Sequence, residues 1–246
     1  DVEIPPKGSR RRILVMGDSC SKISTNIPPY SVLLEDSLRG HDVEVWNAAV
    51  LGYTTWQGHA WLAKQLLGLE PDVAVIYYGW NDHWRATGIT DRDYAERIKG
   101  SSPRLALLFK KMPDPPPLRV PVDQYRENLQ AIVDDFQAGG TRVILIAAPS
   151  NLTQEARARI LQTRYLVRGD DAVALHGEYL DVVHDVCENT NAQLLDAAEL
   201  FAAAAPPKLL IMRDGIHLTD TGHQLMAALL AAQLAPVLAN DDGISR

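Results

Sequence analysis

The sequence contains only two cysteines, Cys20 and Cys187, among its 246 residues. Two thiols are too few for a disulfide framework or a four-cysteine zinc site. Long apolar runs are missing as well: the longest covers residues 225–232, whereas roughly 20 apolar residues are needed to span a bilayer. We therefore expect no transmembrane segment in this chain.

Basic residues are also fewer than acidic residues. The chain carries 24 lysines and arginines against 31 aspartates and glutamates, a formal net charge of −7. This balance argues against a nucleic-acid-binding surface, which needs clustered basic residues. The first residue is Asp1 rather than Met, and the sequence does not predict the cellular compartment. A secreted or periplasmic location is expected if an N-terminal segment has been removed. The sequence does not predict the oligomeric state either.

Short apolar runs alternate with longer segments of helical spacing along the chain. This alternation predicts an α/β fold in which a parallel sheet is covered by helices on both faces. Strands are predicted at residues 12–16, 43–47, 73–78, 142–147 and 192–196, and helices at 30–38, 56–67, 122–138, 154–166, 172–189 and 219–238.

Residues 83–121 interrupt this alternation, and six prolines fall between positions 103 and 121. Long irregular segments inside a compact domain commonly form lids or binding loops. We expect a single domain over residues 1–246, with residues 83–121 as an insertion that forms a lid or a wall of the substrate site.

Polar residues follow the first three predicted strands, where a simple core would not need them. Ser19 follows the first strand, Gly52 lies in the loop after the second, and Asn81 follows the third. Asp214 and His217 precede the last helix. Ligands bind outside the carboxyl ends of the strands in open parallel sheets, so we expect these residues to converge there.

This combination of residue types suits nucleophilic acyl transfer. A serine hydroxyl needs a base to remove its proton, and a histidine held by a carboxylate is such a base. The oxyanion that forms on the attacked carbonyl needs preplaced donors. The backbone N–H groups of Ser19 and Gly52 and the side-chain amide of Asn81 are suitable donors.

The four segments resemble the signature blocks of the SGNH hydrolases, also called the GDSL esterase/lipase superfamily. The first block matches Gly17-Asp18-Ser19, the second matches Gly52, the third matches Gly79–Asp82, and the fourth matches Asp214 with His217. The resemblance spans nearly the whole chain. It implies Ser19, His217 and Asp214 as a catalytic triad, and Ser19, Gly52 and Asn81 as the oxyanion hole. It also implies a flavodoxin-like α/β/α sandwich with strand order 2-1-3-4-5 and no metal or organic cofactor.

All five tryptophans lie between positions 46 and 84. Aromatic rings provide flat surfaces for a sugar face or an acyl group, and Trp80, Trp84 and Tyr53 are therefore predicted to bind substrate, with Trp46 in the core. We expect a serine esterase acting on short-acyl esters such as acetylated carbohydrate. The alternatives are an acyltransferase to a sugar or polymer hydroxyl and, less favoured, a non-catalytic glycan-binding module.

Overall fold

The computed structural model describes residues 6–98 and 113–241. Five parallel strands form one sheet in the order β2-β1-β3-β4-β5, which confirms the expected α/β fold and strand order. The strands are β1 (Arg11–Gly17), β2 (Val43–Asn47), β3 (Val73–Tyr77), β4 (Arg142–Ala147) and β5 (Gln193–Asp196).

Nine helices are described around this sheet, and short 3₁₀ turns at Ser19–Ser21, Arg39–His41 and Leu66–Leu69 connect some of the elements. The helices are α1 (Tyr30–Ser37), α2 (Thr55–Lys64), α3 (Asp91–Ile98), α4 (Val122–Ala138), α5 (Gln154–Gln162), α6 (Ala172–Asn189), α7 (Ala197–Ala204), α8 (Pro207–Leu210) and α9 (Asp220–Asp241).

The sheet separates two apolar clusters because side chains alternate along a strand. In β1, Ile13 and Val15 face the cluster that includes residues of α1 and α9. Leu14 and Met16 face the opposite cluster, which includes residues of α2, α4 and α6. All five residues of β3 are buried, as expected for a central strand covered on both faces.

Most predicted elements occur with small shifts at their ends. The helix predicted at 56–67 ends at Lys64, and the one predicted at 154–166 ends at Gln162. Helix α7 was not predicted, because it begins directly where β5 ends and no loop separates the two elements. The side chain of Asp196 accepts a hydrogen bond from the backbone N–H of Glu199 and so caps α7.

Helix α9 is the one described element that is long and apolar enough to cross a membrane by length and composition. This is weak evidence for a span, because the core helix of a globular domain passes the same test. Met226, Leu230 and Leu234 of α9 are buried in the first apolar cluster, so α9 packs here as a core helix.

The described ends of the predicted insertion run side by side. Arg119 donates a backbone hydrogen bond to the carbonyl of Trp84 at 2.7 Å, and Ala86 donates to the carbonyl of Pro117 at 2.8 Å. Residues 99–112 lie outside the described residues. Both described ends are thus joined to each other beside the end of β3.

Candidate active site

Ser19, His217 and Asp214 are joined by two short hydrogen bonds. The Ser19 Oγ lies 2.8 Å from His217 Nε2. The other ring nitrogen, His217 Nδ1, lies 2.7 Å from Asp214 Oδ2. A hydroxyl, an imidazole and a carboxylate in this order form the arrangement in which a base activates a nucleophile and a third group orients the base.

The end of β1 fixes the position of Ser19. Asp18 caps the 3₁₀ turn that begins at Ser19, because its Oδ1 accepts a hydrogen bond from the backbone N–H of Cys20 at 2.8 Å. A Cβ on Gly17 would lie 2.7 Å from the carbonyl oxygen of Tyr77. Glycine therefore lets β1 and β3 approach closely at the point where the chain turns toward Ser19.

A compact loop before α9 carries the other two groups. The backbone N–H of Met212 donates to the carbonyl of His217 at 2.7 Å. Asp214 Oδ1 accepts backbone hydrogen bonds from Ile216 and His217 at 2.9 and 3.1 Å. Burial raises the pKa of Asp214, but these bonds and the bond to the His217 ring outweigh it, and the net pKa lies below its ordinary value. The carboxylate is thus ionised at neutral pH.

Gly52 and Asn81 lie at the same edge of the sheet. Gly52 adopts φ +78°, a conformation that favours glycine. The loop that carries it is attached to β1, because Val50 donates a backbone hydrogen bond to the carbonyl of Gly17 at 3.0 Å. Asn81 Nδ2 donates to Asp18 Oδ2 at 2.8 Å. Burial raises the pKa of Asp18 to about 6 despite these donors.

A second buried carboxylate, Asp82, joins the end of β3 to the start of α2. Its Oδ1 accepts hydrogen bonds from the backbone N–H and the hydroxyl of Thr55 at 2.9 and 2.5 Å. Burial raises the pKa of Asp82 to about 7, although the Thr55 donors oppose the shift. Asp82 therefore braces the two loops that carry Gly52 and Asn81.

A cleft of about 790 Å³ opens beside Gly52 and Asn81. Trp84, predicted to bind substrate, contributes to its wall and stacks on Tyr165 with ring centroids 5.2 Å apart. Several cleft residues were missed from the sequence, because they come from elements that are distant along the chain and match no motif. They include Trp56, Asp91, Tyr94, Arg119 and Tyr165.

The position of Trp80 does not fit the prediction that it binds substrate, because it is absent from the cleft wall. Its side chain is only 2% exposed, and its ring stacks on His176 at a centroid distance of 4.2 Å. Tyr53 also departs from the expectation, because it packs edge-on against Trp61 and the second apolar cluster rather than on the cleft wall. The loops that follow β2 and β3 turn these two rings into the protein.

Both cysteines have free thiols. Burial raises the pKa of the Cys20 thiol well above its ordinary value, which disfavours a thiolate beside Ser19. Within residues 6–98 and 113–241, no group of three His, Cys, Asp or Glu side chains is arranged to hold a metal ion.

Comparison with protein families decides the assignment. The model of the GDSL-like lipase/acylhydrolase family matches residues 15–225. The chain belongs to this family. The matched range includes the four segments that suggested the resemblance.

A GDSL esterase/lipase of Arabidopsis thaliana, CPRD49, is 28% identical over 163 residues. The match covers 61% of this chain and 61% of the plant protein, so this GDSL chain aligns with less than two thirds of that relative.

Solved structures share the fold of this GDSL chain. The lipase/acylhydrolase from Enterococcus faecalis superimposes with a TM-score of 0.64 at 23% identity, covering 91% of this chain and 95% of the other. The acetylxylan esterase Axe2 from Geobacillus stearothermophilus gives a TM-score of 0.60 at 18% identity, covering 92% and 95%.

Proposed function

We propose that the protein is a serine-dependent carboxylic ester hydrolase with Ser19 as the nucleophile, His217 as the general base and Asp214 as the residue that orients His217. The observation that carries this proposal is the pair of hydrogen bonds joining Ser19, His217 and Asp214 at 2.8 and 2.7 Å. Membership in a family of lipases and acylhydrolases supplies the reaction class.

The proposed reaction has two halves. Ser19 Oγ attacks the ester carbonyl while His217 Nε2 takes the hydroxyl proton, and the N–H groups of Ser19, Gly52 and Asn81 stabilise the oxyanion. His217 then returns the proton to the departing alcohol, leaving an acyl group on Ser19. A water molecule, deprotonated by His217, attacks this acyl-enzyme, and His217 returns the proton to Ser19 Oγ as the acid is released. Asp214 stays ionised throughout and stabilises the imidazolium.

The proposed substrate is a short-acyl ester of a carbohydrate. The cleft of about 790 Å³ is far larger than an acetyl group, so the alcohol part would occupy most of it. Trp56 on its wall provides a flat face suited to a sugar ring, and Gln57 can hydrogen-bond to hydroxyls. Two neighbours of the same fold are acetylxylan esterases, which fits this substrate class.

The described ends of the insertion, residues 83–98 and 113–121, are proposed to form a fixed wall of the cleft within a single domain. They contribute Trp84, Tyr94 and Arg119 to the lining. Arg85 anchors this wall to the loop before α6 through a hydrogen bond of 3.0 Å from its Nε to Asp170 Oδ2. A wall held in this way would shape the substrate site without opening and closing.

The test is an acyl-chain series of p-nitrophenyl esters together with acetylated xylo-oligosaccharide, assayed with the wild type and with Ser19→Ala. We expect hydrolysis of acetyl esters that Ser19→Ala abolishes, with retained folding by circular dichroism. An active purified Ser19→Ala protein would contradict the serine mechanism. A preference for long acyl chains would contradict the substrate class, and acyl transfer to added alcohol in excess of hydrolysis would favour an acyltransferase.

A further inference from the structure

Arg119 connects the insertion to the loop that carries Gly52. Its Nη1 donates a hydrogen bond to the carbonyl oxygen of Gly52 at 2.9 Å. Its Nη2 donates to Gln57 Oε1 at 3.1 Å. The Nε and Nη2 groups hold the two carboxylate oxygens of Asp91 at 3.2 and 2.8 Å. One guanidinium thus contacts the Gly52 loop, the first turn of α2 and the start of α3.

Gly52 needs an external contact of this kind. It adopts φ +78° and is exposed, and a Cβ added to it would meet nothing within 4 Å. Packing therefore does not define its backbone angles, and glycine has more freedom in those angles than any other residue. The loop itself supplies one bond, from the Tyr53 N–H to the Val50 carbonyl at 3.2 Å. In the parts of the chain that the structure describes, Arg119 is the side chain that holds the Gly52 carbonyl.

Arg119 is itself held firmly enough to fix another group. Its backbone N–H donates to the Trp84 carbonyl at 2.7 Å, and its carbonyl accepts from the Asp91 N–H at 2.8 Å. The hydroxyl of Thr54 donates to Asp91 Oδ2 at 2.9 Å. A planar guanidinium that donates two parallel bonds to one carboxylate has a defined orientation. The Arg119–Asp91 pair therefore fixes the Gly52 carbonyl relative to the described ends of the insertion.

We infer that Arg119 is a positioning residue for the oxyanion hole: by holding the Gly52 carbonyl, it restrains the backbone of the loop that carries the Gly52 N–H, the proposed oxyanion donor. This inference rests on the proposed function. An oxyanion donor acts only if it lies about 2.7–3.1 Å from the oxygen in the transition state, and a displacement of about 1 Å can cost roughly 10²-fold in rate. The insertion would thus contribute to the reaction step as well as to substrate binding.

Direct contact between Arg119 and the substrate is the competing role, because Arg119 also lines the cleft. The hydrogen bonds of Arg119 favour positioning. All three of its guanidinium nitrogens already donate to groups of the protein, and Asp91 offsets its charge. A substrate-contacting role predicts a higher KM, whereas a positioning role predicts a lower kcat.

The experiment compares Arg119→Met and Arg119→Lys with Arg126→Met, measuring kcat and KM on one acetyl ester. Arg126 is the matched control, because it forms an exposed ion pair with Asp185 at 2.7 Å on the outer helices. We expect both Arg119 variants to lose about 10- to 100-fold in kcat, with KM nearly unchanged. Lysine fails to substitute because it cannot form the planar fork. The control should retain the wild-type kcat.

A second measurement uses phenylboronic acid, which mimics the tetrahedral intermediate when its boron accepts a lone pair from Ser19 Oγ. Its inhibition constant should rise in the Arg119 variants by the same factor by which kcat/KM falls. Asp91→Asn should show a smaller loss, and it keeps the test open if Arg119→Met does not fold. If the wild type is active and the Arg119 variants keep its kcat or change only KM, the inference about Arg119 is overturned and the proposed function stands. A wild type without esterase activity overturns the proposed function itself.

Discussion

The side-chain amide of Asn81 donates a hydrogen bond to the buried carboxylate of Asp18, with Nδ2 and Oδ2 2.8 Å apart. The two residues lie 63 positions apart, at the ends of adjacent strands. Asp18 also caps the turn at Ser19 through the Cys20 N–H. One carboxylate therefore fixes both the proposed nucleophile and a proposed oxyanion donor.

Asp18→Asn should lower kcat about 10-fold or more with a smaller change in KM. An asparagine offers one acceptor oxygen where the aspartate offers two. Either the Cys20 N–H or the Asn81 amide must then face the NH2 group of the new side chain, which is itself a donor. The measurement is steady-state kinetics on an acetyl ester, with Asp185→Asn as a control on an exposed ion pair. An unchanged kcat in Asp18→Asn would show that Asn81 does not need this partner.

Trp56→Ala should raise KM for a carbohydrate ester about 3- to 10-fold, because Trp56 lies on the cleft wall and stacking on an aromatic face contributes about 1 kcal/mol. Trp61→Ala is the matched control, since Trp61 lies on the same helix and also packs against the second apolar cluster but is not part of the cleft wall. KM for p-nitrophenyl acetate should change little in both variants. Equal KM values for the two variants on the sugar ester would argue against a sugar platform at Trp56.

Asp82 should make the protein less stable as the pH rises from about 4 to about 7. Burial raises its folded-state pKa from 3.8 to about 7, so in this range the folded chain binds more protons than the unfolded chain, and stability falls with rising pH. The effect is at most roughly 4 kcal/mol. Urea unfolding at pH 4.5, 6 and 8 should show a weaker decline in Asp82→Asn, which cannot ionise. A steeper decline in that variant would contradict the assignment.

Gly222→Ala should destabilise the protein by about 1–3 kcal/mol. A Cβ at this position would lie 2.1 Å from the carbonyl oxygen of Leu210. That carbonyl accepts the backbone N–H of Thr219 at 2.9 Å, at the start of α9 and next to the His217 loop. We therefore expect activity to fall along with the melting temperature.

Gly177→Ala is the matched control for this substitution. Gly177 lies within α6, and a Cβ there would meet nothing within 4 Å. Alanine should therefore stabilise α6 by about 0.5–1 kcal/mol through its higher helix propensity. Thermal melting of both variants checks the pair, and equal shifts would show that the close approach at Gly222 is relieved at no cost.

The elements that the sequence predicted well share a local cause. Strands β3 and β4 are continuous apolar runs, and a buried strand needs only such a run between polar turns. The Ser19, Asn81, Asp214 and His217 segments could also be found from the chain alone, because each directly follows a strand or precedes a helix. The geometry of parallel strands brings Ser19 and Asn81 together, and the loop before α9 brings Asp214 and His217 to them.

The surroundings of the site depend on contacts between distant segments. The amino-acid sequence determined the parallel sheet and the polar groups at the strand ends, and its family resemblance implied the strand order. It could not distinguish the buried Trp80 from Trp56 on the cleft wall, nor pair Arg119 with Gly52 across 67 positions. Whether a ring is buried, or which carbonyl an arginine reaches, depends on how loops pack after the sheet has formed, and only the tertiary structure decided that.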